Sequence, residues 1–339
     1  MSSEETPQPP YPLHPSVASK LHPDYVAFYN QHVIDKQQVH YQPVEASRTG
    51  GVLIPGGGPV LEVGNVEDIL IQRKHIEGFS PGESESEGPD IKVRVFTPKG
   101  DTPQGGWPAM LYFHGGGLAP ENPFPAAVHD AWSSLLWLTS PSTQLKLSLN
   151  PTKLAIGGSS AGGNLAAVMT HKALLHNQNL PSPSESEPGL KPINIQIQLL
   201  SVPVTDNTAT TAANPSYSTY EHTPALPAAK MLWYRRHYLP NESDWANPDA
   251  SPLLYPAEDS HNHWSQLPPA LIMVGELDVL RHEGEAYARK LQSAGVKDVD
   301  LVVMEGMPHP FLAMDGVLEA GRRAISLMCE RLERVFWGE

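Results

Sequence analysis

The chain has 339 residues, 37 of them acidic and 23 basic, for a formal charge of −14. At roughly 150 residues per domain this suggests two domains, or one long α/β domain, with enough chain to bury a core without disulfide or metal staples. The charge argues against a phosphate-backbone binder and against an anionic membrane surface as partner, and the single cysteine, Cys329, excludes an intrachain disulfide.

No apolar run reaches the roughly 18 residues of a membrane span. The first residues have neither the basic nor the apolar region of a signal peptide. The expectation is a cytoplasmic protein acting on a small or neutral partner. Proline is abundant, 35 residues, which predicts many loops within a globular chain.

Residues 1–16 are polar and Pro-rich and are expected to be loose. From Val17 to about Gln38 the apolar spacing predicts a helix. Glycines at 50–51 and 56–58 then break the chain. Residues 66–76 and 91–97 read as strands, separated by an acidic, Ser-rich loop at 80–89. Residues 109–113 form a short apolar run, expected to be a buried strand. A helix is predicted at 124–139, a strand at 154–156 and a helix at 163–176. A Ser- and Pro-rich loop follows at 181–188. Strand patterns recur at 193–204, 270–274 and 299–304, with helices at 224–239, 283–294 and 315–336. From Ala109 onward strands and helices alternate, which predicts an α/β fold with a mostly parallel sheet and helices on both faces. The two early strands fit an antiparallel edge. Such sheets place ligands at the carboxyl ends of their strands.

Three segments at those ends carry chemistry. Gly158-Ser159-Ser160-Ala161-Gly162 matches Gly-x-Ser-x-Gly between a strand and a helix. Small neighbours permit the strained turn that would expose the Ser160 hydroxyl, and the helix amino terminus beyond it favours developing negative charge. The five residues alone fit a Gly-rich loop equally well. A serine nucleophile also needs a base held by a third group, in the chain order Ser, acid, His. Asp278 follows the strand at 270–274 and His309 follows the strand at 299–304. Alone, Asp278 reads as a turn or helix-cap residue and His309 as one histidine among 15. In this order, each after a strand, the three support one another.

His114-Gly115-Gly116-Gly117 follows the strand at 109–113 and fits a glycine-rich oxyanion loop. Bare amides of Gly115 and Gly116, with that of Ala161, are the candidate donors. The nucleotide-binding glycine spacings are absent, and no cofactor is expected. His261-Asn262-His263 is a lone His-x-His in a polar stretch, expected to be solvated. His171 and His176 are spaced off a common helix face, so no metal site is expected. Met231 to Tyr234 is an apolar helical stretch suited to packing or to lining an acyl pocket.

Together these motifs resemble the hormone-sensitive-lipase-like branch of the α/β-hydrolases, the arylacetamide-deacetylase and carboxylesterase type, over residues 66–337. The specific marks are 114–117, 118–121 with 124–127, 158–163, 275–278 and 309–311. The resemblance implies Ser160 as nucleophile, His309 as general base and then acid, and Asp278 as orienter. It implies a small ester substrate, with amides and lactones open to the same residues. It also implies a cap built from residues 1–50 and from about 207–250, over a core at 51–339 with an eight-stranded sheet. Ser159 stands where Asp is usual and Pro310 where Gly is common.

One departure is larger. In the family a helix and a buried strand separate the glycine loop from the Leu-Ala-Pro-Glu element, yet here Gly117 joins Leu118 directly. About 30 residues, the size of a strand-helix unit, are absent. A shortened isoform or a mis-spliced gene model would produce this junction. The lost strand would lie beside the one at 109–113. Either the strand at 91–97 slides in to pair there, or backbone groups are left unpaired. The competing reading is therefore a catalytically impaired or non-catalytic member that binds a small ligand. A third is a nonfunctional product lacking a core strand.

Overall fold

A computed structural model describes residues 6–45, 56–73, 89–116, 122–180, 191–256 and 263–338. Strands β1 (Asn65–Ile71) and β2 (Ile91–Thr97) pair antiparallel as a two-stranded sheet. The main sheet has five parallel strands in the order β3 (Trp107–Phe113), β4 (Leu149–Ser159), β5 (Ile195–Ser201), β6 (Ala270–Gly275) and β7 (Val299–Met304).

Its strands alternate between two apolar layers, as the two-residue period of a β-strand requires. Leu154, Ile156, Leu200 and Ile272 point to one face, where helices α3 (Ala126–Thr139), α5 (Ala161–Gln178) and α8 (Arg281–Ser293) pack. Ala155, Leu199, Leu271 and Met273 point to the other, covered by α1 (Pro15–Ala18), α2 (Pro23–His32) and α9 (Glu319–Trp337). With both faces covered, the central strands read as continuous apolar runs. Three more helices complete the chain: α4 (Pro141–Lys146), α6 (Pro215–Thr219) and α7 (Ala228–Tyr238).

Several expectations change. Residues 7–16 are not loose: the Tyr11 amide donates to the Ile34 carbonyl at 2.8 Å, and the Tyr29 hydroxyl donates to the Tyr11 carbonyl at 2.9 Å. The single helix expected over 17–38 is two helices broken at 19–22, because Pro23 restarts the chain with His22 as its cap. The strand at 154–156 begins earlier, at Leu149, with a polar, partly exposed first half. The loops at 80–89 and 181–188 lie mostly or wholly outside the described residues, as does the Gly117–Leu118 junction.

The seven described strands do not form one sheet. The strand at 91–97 does not move in to pair with the one at 109–113: β2 pairs with β1, and β3 pairs only with β4. β3 is thus an edge strand among the described residues, and its Tyr112 is exposed. The small sheet is fastened to the core instead by a two-pronged contact, in which Arg73 donates to both carboxylate oxygens of Asp130 on α3, at 2.5 and 2.8 Å.

Candidate active site

Because β4, β6 and β7 run parallel, the residues that follow them collect at one sheet edge. Ser160 lies between β4 and α5 with φ 57° and ψ −119°, a conformation that L-residues avoid. Its amide donates to the Ser201 carbonyl at 2.9 Å, and its carbonyl accepts from Asn164 at 3.0 Å. The turn is too tight for side chains: a Cβ on Gly158 would collide with the Gly162 carbonyl, and one on Gly162 with that of Phe113. The small residues seen in the sequence are therefore a steric requirement.

Asp278 is fully buried in the turn after β6. One carboxylate oxygen accepts from the Leu280 amide at 3.0 Å, the capping role that its position suggested. The other lies 2.9 Å from Nδ1 of buried His309, after β7. One carboxylate thus caps a turn and fixes an imidazole ring, leaving Nε2 as the ring's remaining polar atom.

Ser160 and His309 line the same cavity, of about 830 Å³. Among the described residues no hydrogen bond joins Ser160 to His309. Gly115, Gly116 and Ala161 also line the cavity. Gly115 passes so close that an added Cβ would sit 2.8 Å from the Ser159 carbonyl and 3.3 Å from the Ser160 Cβ. Gly116 has φ 123°, a backbone suited to glycine. Ala161 opens α5, where helix amides lack intrahelical acceptors and the dipole favours an anion. The arrangement can hold a tetrahedral oxyanion next to a serine.

Chain segments far apart in sequence form the opposite wall. α2 supplies Tyr25 and Phe28, and α7 supplies Met231, Tyr234, Arg235 and Tyr238, spaced along one helix face. Met231 also packs in a small apolar cluster with Tyr217 and Leu226, so it both packs and lines the cavity.

Some residues carry more than the sequence suggested. Asn164 is buried one turn into α5 and donates to the carbonyls of Val204 and Ala250, both at 2.8 Å, tying the loop after β5 to the segment at 250. Its Oδ1 is unpartnered. No motif marks it beyond its place after Gly163. His263 is not solvated as expected. It is buried, and its Nε2 lies 2.7 Å from Nδ1 of buried His171, whose ring stacks on Tyr255. Residues 261–262 lie outside the described residues. Among the described residues no group of three or more His, Cys, Asp or Glu is placed to hold a metal ion, and no helix is long and apolar enough to cross a membrane.

A parallel sheet with a strained serine turn after one strand and a buried Asp–His pair after two others defines an α/β-hydrolase arrangement. Residues 117–313 match the α/β hydrolase fold family. The AB hydrolase superfamily protein C1039.03 of Schizosaccharomyces pombe is 42% identical, over 94% of this chain and 95% of its own. The carboxylic ester hydrolase LipN of Mycobacterium tuberculosis is 32% identical, over 79% and 78%. The ethyl acetate hydrolase of Pseudomonas putida is 26% identical, over 87% and 96%. Among solved structures, an esterase of the archaeon Pyrobaculum calidifontis superposes with a TM-score of 0.74 at 27% identity, over 93% of this chain and 98% of that one. The chain belongs to the α/β-hydrolase fold family, on its esterase-like, hormone-sensitive-lipase side.

Proposed function

We propose that the protein is a serine esterase that cleaves small carboxylic esters through an acyl-enzyme. Ser160 Oγ attacks the ester carbonyl while His309 Nε2 takes its proton. The amides of Gly115, Gly116 and Ala161 receive the oxyanion. His309 returns the proton to the leaving alcohol, and water then attacks the acyl-serine, giving the carboxylic acid and free Ser160. Asp278 keeps the ring in register throughout. Helices α1 and α2 and the stretch at 207–250 serve as the cap over the cavity.

The observation that carries this reading is the buried His309–Asp278 pair, opening onto the same cavity as the strained Ser160 turn. Its relatives support it, being named as ester hydrolases. Fluorophosphonate labelling of the purified protein tests it, with Ser160→Ala as control. Labelling that disappears in the variant is the expected result. No labelling of folded protein would overturn it.

A second reading, a binding protein of the same fold with little or no catalysis, is favoured by one observation. Among the described residues the β3 edge that leads to the glycine loop is paired on one side only. We infer that this edge is where the absent strand-helix unit would stand. The start of the family match at residue 117, at the proposed junction, supports that inference. Under this reading the cavity binds esters without forming an acyl-enzyme.

A further inference from the structure

The electrostatics of the cavity run against those of the chain. The protein carries a formal charge of −14. Yet among the described residues that line the cavity none is Asp or Glu, while Lys36, Lys230 and Arg235 all do. A negative chain with a positive cavity concentrates small anions at that point.

The cations there are also under-partnered. Among the described residues Lys230 Nζ donates only to the Ala225 carbonyl, at 2.8 Å, and an ammonium has three donors. Arg235 is 2% exposed. It donates to the Ala209 carbonyl at 2.6 Å and to the Tyr217 hydroxyl at 3.2 Å and lies over the Trp245 and Tyr217 rings, at 5.3 and 5.9 Å from their centres, and among the described residues its buried Nε has no hydrogen-bond partner. Among the described residues neither cation has a carboxylate within ion-pair distance. The buried acid near Arg235, Glu283, lies outside ion-pair distance of it and accepts through one oxygen from the Thr205 amide at 2.8 Å and the Asp206 amide at 3.3 Å. Burial pushes its carboxyl well above the usual carboxylate range.

Other partly buried cations are neutralised in place. Arg73 has Asp130, Lys172 has Asp249 at 2.6 Å, and Arg331 has Asp298 and Asp300. Lys290 has, among the described residues, no carboxylate but two carbonyls and the face of Trp264. An uncompensated buried cation is costly. Burial accordingly holds Lys230 down to about 8. Two such cations lining one cavity, with no carboxylate within ion-pair distance among the described residues, leave a place for an anion that is not part of the described protein.

We propose that the substrate is an ester bearing a free carboxylate, which Lys230 and Arg235 bind from the helical wall while Ser160 attacks the ester carbonyl. This rests on the esterase reading and refines it, replacing the neutral partner that the overall charge suggested. Lys36, exposed at the rim, would draw such substrates in.

Two matched ester pairs test this in wild type, Lys230→Met and Lys230→Arg. One pair carries the carboxylate on the acid side (4-nitrophenyl hemiglutarate against 4-nitrophenyl valerate). The other carries it on the alcohol side (4-acetoxybenzoate against phenyl acetate). At least one pair should favour the anionic ester in wild type. That preference, as a ratio of kcat/KM, should fall about tenfold or more in Lys230→Met through KM and be largely restored in Lys230→Arg. In parallel, titration calorimetry of Ser160→Ala protein with glutarate should show binding that weakens about tenfold or more when Lys230→Met is added. Preference for the neutral ester in both pairs, or preference that does not respond to Lys230→Met, overturns the proposal. If no ester is turned over and Ser160 does not label, the esterase reading fails, and the glutarate titration alone decides whether the anion site stands.

Discussion

On the strand side of the cavity, Ser160, Asp278 and His309 hang from the ends of β4, β6 and β7, and each is held by backbone hydrogen bonds or by a buried partner. On the helical side, Lys230 and Arg235 project from α7 with donors to spare. The first wall is over-determined: parallel strands, glycines that admit no Cβ and a doubly used carboxylate allow one arrangement. The second is set by side chains on a helix that other sequences could fill differently without disturbing the sheet. The difference separates the part of the site suited to fixing a reaction from the part suited to choosing its substrate.

The sharpest way to break the strand-side wall is Asp278→Asn. It removes the acceptor that fixes the His309 ring and should lower kcat by about 10⁴. The fold should survive, as far-UV circular dichroism would show, because an Asn oxygen can still cap Leu280. Loss limited to a few-fold would mean that the Asp–His pair is structural.

Gly162→Ala attacks the same wall through sterics. The added methyl meets the Phe113 carbonyl on the neighbouring strand, where neither backbone can retreat. Destabilisation at the top of the overpacking range, about 3 kcal/mol, is expected and is measurable by urea unfolding. A change under about 0.5 kcal/mol would show the turn to be softer than drawn.

A smaller effect is expected behind the sheet, at the His171–His263 pair. Burial holds His171 well below the ordinary histidine value of 6.5, so it stays neutral in the folded protein while the unfolded chain takes up a proton. The unfolded state then binds more protons, and stability should fall as pH drops below about 6.5, by up to about 1.4 kcal/mol per pH unit for one proton. His40, held down to about 4 by burial, acts in the same direction. Urea midpoints at pH 7, 6 and 5 measure the slope, and His171→Gln should flatten it. An unchanged slope would place the titration elsewhere.

The strand-side wall was legible from sequence because its constraints are local. Gly158, Gly162 and Ser160 are within five residues of one another, and Asp278 and His309 each follow an apolar run of strand length. The parallel character of the main sheet followed from the alternation of strands with helices. The helical wall was not legible. Tyr25, Lys230 and Arg235 meet through tertiary packing, and nothing in a helix's 3.6-residue period says which charge will face a cavity. Nor did the polar stretch around His263 announce a buried ring, since its partners His171 and Tyr255 lie on other segments. The separation of β1 and β2 from the main sheet depends on what β3 can pair with, which the pattern of either strand does not contain.

The conformation of Ser160 places activity and endurance in opposition. At φ 57° and ψ −119° the backbone sits where only glycine rests comfortably. Such strain is worth on the order of 1–3 kcal/mol, supported by the surrounding sheet and helix. The residue proposed as nucleophile is thus one of the least comfortable in the fold. Replacing it by glycine should give a protein that melts higher and hydrolyses nothing. Selection for thermal resilience alone would then erode this serine first.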